Sequence, residues 1–64
     1  MTDYIDRMKQ EHKELEIKVK SLENFIYTND KFKELGDNAK VLMIQQLGFM
    51  RSYLSILNVR IWSD

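Results

Sequence analysis

The chain has 64 residues, ten acidic and ten basic side chains, no net charge, and neither cysteine nor proline. A domain this short buries only ~60% of the surface its unfolded chain exposes, and the missing cysteines exclude disulfides and thiolate metal sites as staples. Balanced charge excludes strong whole-chain attraction to nucleic acid or anionic membrane, which leaves oligomerisation as the route to a stable fold. The lone histidine, His12, cannot build a zinc site unaided. The segment from Met1 to Glu14 has no signal-peptide character, and the longest apolar run, Val41 to Ile44, is far too short to span a membrane. The expectation is a single cytoplasmic domain with no membrane partner.

The first element is a helix over 3–28. Thr2 or Asp3 can cap its free amides. Apolar residues recur at Met1, Met8, Leu15 and Leu22, with a second row at Ile5, Val19 and Ile26, the spacing of one helical face. Asp6, Lys9, Lys13, Glu16, Lys20 and Glu23 fall on the other faces, where solvated charges belong. Glu16 and Lys20 make a favourable pair one turn apart.

The connection spans 29–37. Asn29 and Asp30 are turn or cap residues. Phe32 and Leu35, three apart, anchor a single helical turn. Gly36 suits the left-handed position that ends such a turn, and Asp37 or Asn38 then caps the next helix.

The second long helix runs over 38–62. One apolar row is Met43, Met50 and Leu57, and the next is Leu47, Leu54 and Ile61. A third row, Leu42, Phe49 and Ile56, extends the apolar surface past half the circumference, with Tyr53, Val59 and Trp62 adding to it. A stripe roughly 100° wide is enough to face one partner. This helix therefore has more apolar surface than one opposing helix covers, so Leu42, Phe49, Ile56 and Trp62 are expected at an interface between copies. Gly48, in mid-helix, costs up to ~1 kcal/mol relative to alanine and permits close approach of another backbone. The fold class is all-α: an antiparallel helical hairpin with a short helical turn in its connection, assembling into a homo-oligomeric bundle. Antiparallel packing sets Phe25 near Leu42, Lys18 near Phe49 and Tyr4 near Trp62.

A polar row flanks the expected core at seven-residue spacing: Tyr4, Glu11, Lys18 and Phe25 on the first helix, then Gln46, Tyr53 and Arg60 on the second. Glu11 is expected near Arg60, and Lys18 near Gln46 and Tyr53. Two readings stand. Polar residues at such positions fix register and partner choice. Alternatively they line a ligand pocket between copies, where Lys18, Arg51 and Arg60 hold phosphate and Tyr4 or Tyr53 stacks on a base. His12 reads as a half-buried contact, the four methionines as core filler, and Lys18 to Lys20 as solvated surface. No nucleophile with a base at useful spacing, glycine-rich phosphate loop, metal motif or basic recognition helix is present in the sequence. An enzyme or a DNA-binding protein is not expected, and no cofactor is implied.

The runs Arg7 to Ile26 and Gln45 to Ile61, joined through Phe32 and Leu35, resemble very short phage and prophage proteins. The shared skeleton is Arg7, Glu11, Leu15, Lys18, Leu22, Phe25 and Ile26, then Gln46, Met50, Tyr53, Leu57 and Arg60. The pattern is similar to the helical-hairpin portion of phage counter-defence sponges, the anti-CBASS and Thoeris anti-defence proteins. That resemblance implies a homo-oligomer, often a hexamer, in the host cytoplasm. It would bind cyclic oligonucleotide or related ADP-ribose-derived signals without degrading them. In such sponges an aromatic side chain stacks on a base and basic side chains hold phosphates, at sites shared between copies. Tyr4 and Lys18 match that pair best, with Arg51, Tyr53 and Arg60 as candidates for a second type of pocket. The competing expectation is an interaction module that docks a host or phage protein through the apolar face of the second helix.

Overall fold

The computed structural model describes residues 3–63, so Met1 and Thr2, invoked above for the apolar row and the cap, lie outside the described residues. Within them the chain is helical: α1 (Asp3–Thr28), α2 (Asp30–Lys33) and α3 (Asp37–Trp62). The two long helices have 26 residues each, about 39 Å at ~1.5 Å per residue. They pack side by side in a body measuring 48 × 15 × 13 Å. Side-chain contacts fix the sense as antiparallel, since Tyr4 meets Arg60 near one end and Glu23 meets Arg51 towards the other.

Local chemistry sets the ends of the elements. Asp3 and Asp6 sit in the first turn of α1, and Asp37 in that of α3, where carboxylates complement the positive end of the helix dipole. At the end of α1 the Thr28 hydroxyl donates to the Asn24 carbonyl at 2.6 Å. Asn29 then turns extended, with φ −93 and ψ 125, and its side-chain oxygen accepts from the Lys31 amide at 2.8 Å. That is N-cap chemistry, and it starts the single turn of α2. The Phe32 ring meets Phe25 edge-on, with centroids 6.1 Å apart and planes at 88°, which pins the turn onto the end of α1.

Gly36 departs from expectation. Its φ is −67 and its ψ 160, so the backbone is extended and not left-handed. Glu34 closes α2 by donating its amide to the Lys31 and Phe32 carbonyls, which leaves no left-handed cap to be made. Gly36 is itself the N-cap of α3, its carbonyl accepting from the Lys40 amide at 3.1 Å. The helix begins at Asp37, one residue before the sequence reading placed it.

The core lies on the α1–α3 seam. Met8 and Val19 from α1 and Leu47, Leu57 and Ile61 from α3 are buried. Ile5, Leu15, Leu22, Ile26, Met43, Met50 and Leu54 border them, half-buried, as does His12. These are the first two apolar rows of each helix read from the sequence. The third row of α3 is left uncovered: Leu42 is 63% exposed, Phe49 75% and Ile56 55%. Leu42 therefore does not pack into the seam beside Phe25, whose ring is turned towards Phe32.

Leu57 is completely enclosed. Leu57→Ala should cost about 2–5 kcal/mol, a large fraction of what so small a core supplies. Urea titration followed by far-ultraviolet circular dichroism should find the variant largely unfolded or shifted to a much lower midpoint.

Candidate ligand-binding flank

The seam between α1 and α3 has two polar edges. Residues seven apart on a helix return to nearly the same side, so Tyr4, Glu11 and Lys18 stand in line along one edge of α1. Gln46, Tyr53 and Arg60 stand in line along the facing edge of α3. The structure joins them rung by rung. An Arg60 nitrogen donates to the Tyr4 hydroxyl at 3.4 Å, and the Tyr53 hydroxyl donates to the Glu11 carboxylate. Lys18 and Gln46 line one concavity with Leu22, Phe25 and Met50. Met50 and Gln46 also line the next, with Leu42, Phe49 and Tyr53, so the two run on as one furrow.

The hydrogen-bond partners differ from those expected, within the register that puts Lys18 beside Gln46. Glu11 accepts from Tyr53 and Arg60 donates to Tyr4, while Arg60 stays close enough to Glu11 to feel its charge. Trp62 does not meet Tyr4. The Lys9 ammonium lies over its ring instead, 5.0 Å from the centroid, as a cation–π contact on the opposite edge. Lys18 shares its concavity with Gln46 as expected, but Phe49 points out beside the furrow, largely exposed.

Arg51 also belongs to the opposite edge. Its Nε donates to a Glu23 carboxylate oxygen at 3.1 Å, and a second guanidinium nitrogen pairs with the same oxygen. The structure thus brings Tyr4, Lys18, Tyr53 and Arg60 to one side and leaves Arg51 on the other. Lys9 and Glu23, read from the sequence as plain solvated surface, have specific partners on this second edge. Their spacing carried the signal, since both lie on the α1 side that borders the core.

The electrostatics follow from these partners. Hydrogen bonding to the Glu11 carboxylate raises the Tyr53 phenol above the ordinary tyrosine value, with desolvation adding to the effect and Arg60 opposing it. Arg60 is held more firmly protonated by its bond to the Tyr4 oxygen, and Arg51 by its bond to Glu23. Lys18 and Arg60 take part in no salt bridge among the described residues, unlike Arg51. The ladder therefore presents two cationic groups outside any salt bridge among the described residues: Arg60 beside Tyr4 and within reach of the Glu11 charge, and Lys18 on the furrow that Tyr53 and the exposed Phe49 line further along. No group of three or more histidine, cysteine or acidic residues placed to hold a metal ion occurs among the described residues.

The Sequestin family model matches residues 2–63, nearly the whole chain. The chain belongs to the Sequestin family. Neither a curated relative nor a solved structure matches it. The Sequestin name fits a protein that holds a ligand out of circulation. No helix among the described residues of this Sequestin is long and apolar enough to cross a membrane.

The Glu11–Tyr53 rung can be tested by titration. In absorbance titration the Tyr53 step, identified by its loss in Tyr53→Phe, should move to lower pH in Glu11→Gln, because the carboxylate that disfavours phenolate is gone. The sign for stability follows from the raised native value. The rung's contribution is fully present below the unfolded tyrosine pKa and is lost as pH rises through the folded one. Thermal melting of the wild type should therefore fall more steeply with alkaline pH than that of Tyr53→Phe.

Proposed function

We propose that this Sequestin is a counter-defence sponge of phage type. It binds cyclic oligonucleotide immune signals, cyclic di- or trinucleotides, in the host cytoplasm and holds them without cleaving them. The observation that carries this reading is the furrow edge, where Lys18 and Arg60, free of salt bridges among the described residues, share one side with Tyr4 and Tyr53. Guanidinium and ammonium groups suit phosphate, and phenol faces stack on any base. The family's name supports sequestration as the mode of action, and the resemblance to anti-defence sponges supplies the ligand class.

A single hairpin leaves the furrow open. The ligand is enclosed when copies assemble as a homo-oligomer and bring the exposed ridge of Leu42, Phe49 and Ile56 over a neighbour's furrow. Tyr4 and Lys18 form the principal contact pair, and Tyr53 and Arg60 extend it along the ladder. Arg51 stands apart on the opposite edge, already committed to Glu23. Sequestration needs only that binding be tight and product-free.

The competing reading, docking of a host or phage protein on α3, draws on the exposure of Phe49 and Trp62, 75% and 72%. Calorimetry against a panel of cyclic di- and trinucleotides separates the two. At least one should bind, and mass spectrometry should recover it unaltered. Lys18→Ala should weaken binding by at least about tenfold, the scale of one charge-assisted hydrogen bond. Arg51→Ala should change it by less than about twofold, as expected for a distant site. Absence of heat with every member of the panel, together with capture of a host protein lost in Phe49→Ser, would establish docking instead.

A further inference from the structure

The polar ladder carries one group that phosphate binding does not explain. Glu11 stands between Tyr4 and Lys18, seven residues from each, and is the ladder's only acid. A carboxylate repels phosphate, so an acid midway along an edge suited to anions needs another use. Its side chain is exposed and takes part in no salt bridge among the described residues. Oε2 accepts from the Tyr53 hydroxyl, and Arg60 lies close enough to feel the charge. Oε1 accepts from no group among the described residues. Tying α1 to α3 through Tyr53 thus occupies only part of the carboxylate.

The position of Glu11 suits it to read the edge of a base. The carboxylate sits at the tip of the Tyr53 phenol, whose hydroxyl donates to it. Tyr53 in turn lines the apolar stretch of the furrow with Leu42, Phe49 and Met50. A base stacked on that ring brings one of its edges towards Glu11. Seven residues along α1, about 10 Å at ~1.5 Å per residue, Lys18 lines the adjoining concavity. In a nucleotide the ribose and the base ring separate the phosphate from the far edge of the base. The phosphate can therefore meet Lys18 while that edge meets Glu11.

The chemistry of the acceptor then chooses the base. An ionised carboxylate only accepts, so the edge it reads must be made of donors. Guanine sets two side by side, N1–H and the 2-amino group. Oε1 takes one, and the second lone pair of Oε2 takes the other. Adenine and cytosine each set an amino donor beside a bare ring nitrogen, whose lone pair would face the carboxylate. Uracil sets its single donor between two carbonyl oxygens. We propose that Glu11 is the specificity-determining residue of the furrow and selects guanine-containing cyclic nucleotides by their N1–H and 2-amino edge. This rests on the sponge reading and names the base its site prefers.

Calorimetry with the full chain tests it, using cyclic di-GMP, cyclic di-AMP and cyclic di-IMP, whose hypoxanthine differs from guanine only by the missing 2-amino group. Wild type should bind cyclic di-GMP at least about tenfold tighter than cyclic di-AMP, the scale of one bidentate base contact. Cyclic di-IMP should bind severalfold more weakly than cyclic di-GMP. Glu11→Gln keeps an acceptor for Tyr53 but puts an amide donor where an oxygen stood, the arrangement that suits adenine. In that variant, with helicity checked by circular dichroism, the preference for cyclic di-GMP and the penalty for the missing amino group should both disappear. Equal binding of all three by wild type overturns the proposal and leaves the sponge reading in place. So does a guanine preference that survives in a helical Glu11→Gln. A variant that weakens every ligand equally also overturns it, and marks a ribose contact or a purely structural role. If Glu11→Gln does not fold, the cyclic di-IMP comparison on wild type decides. Heat with none of the three removes the inference, and heat with no member of the wider panel removes the sponge reading as well.

Discussion

Two helices can shelter only one face of each other, and this limit governs the rest of the molecule. The seam between α1 and α3 covers the rows through Met8, Val19, Leu47, Leu57 and Ile61. It leaves α3 with apolar residues on sides that α1 cannot reach. Burial of apolar area is the main favourable term in folding, at about 25 cal/mol per Å², and a hairpin with so short a list of enclosed side chains has little of it. The uncovered ridge of Leu42, Phe49 and Ile56 on α3 is thus a deficit in the isolated chain and, equally, surface on which a partner could gain contact.

The polar ladder does a different job from the core. Apolar rows choose poorly among alignments, because leucine, methionine and isoleucine substitute for one another in volume. The Tyr4–Arg60 and Glu11–Tyr53 hydrogen bonds tie one particular alignment of the helices together. The Glu23–Arg51 pair and the Lys9–Trp62 contact set the same alignment from the opposite edge. Register is therefore held from both sides of the seam by exposed groups, each individually weak in water. The structural and ligand-binding readings of the ladder are compatible. The rungs that fix register also hold the cations and phenols at fixed height along the furrow.

The helices, their ends to within a residue, and the split between covered and uncovered rows of α3 were legible in the sequence, because periodicity at 3.6 residues depends only on which side of a helix a residue occupies. The hydrogen-bond partners across the seam were legible only in part. Lys18 shares its concavity with Gln46 as the spacing implied, but spacing does not say which of two nearby polar groups takes a bond, so Glu11, near Arg60 as expected, accepts from Tyr53 instead. Arg51 was grouped with Tyr53 and Arg60 on chemistry alone, though its position on α3 puts it across the core from them, beside Glu23. Gly36 was misread for a related reason. Glycine before a helix serves as an extended N-cap as readily as it serves after one in the left-handed form, and only the carbonyl partners decide.

The ridge of Leu42, Phe49 and Ile56, uncovered by α1, borders the furrow beside Lys18 and Tyr53, since Leu42 and Phe49 also line it. A neighbouring copy laid on the ridge would cover the furrow as well. Each pocket would then be completed by residues from different copies. A chain of 64 residues, with too little core to enclose a ligand alone, would in this way obtain several enclosed pockets by repeating one hairpin.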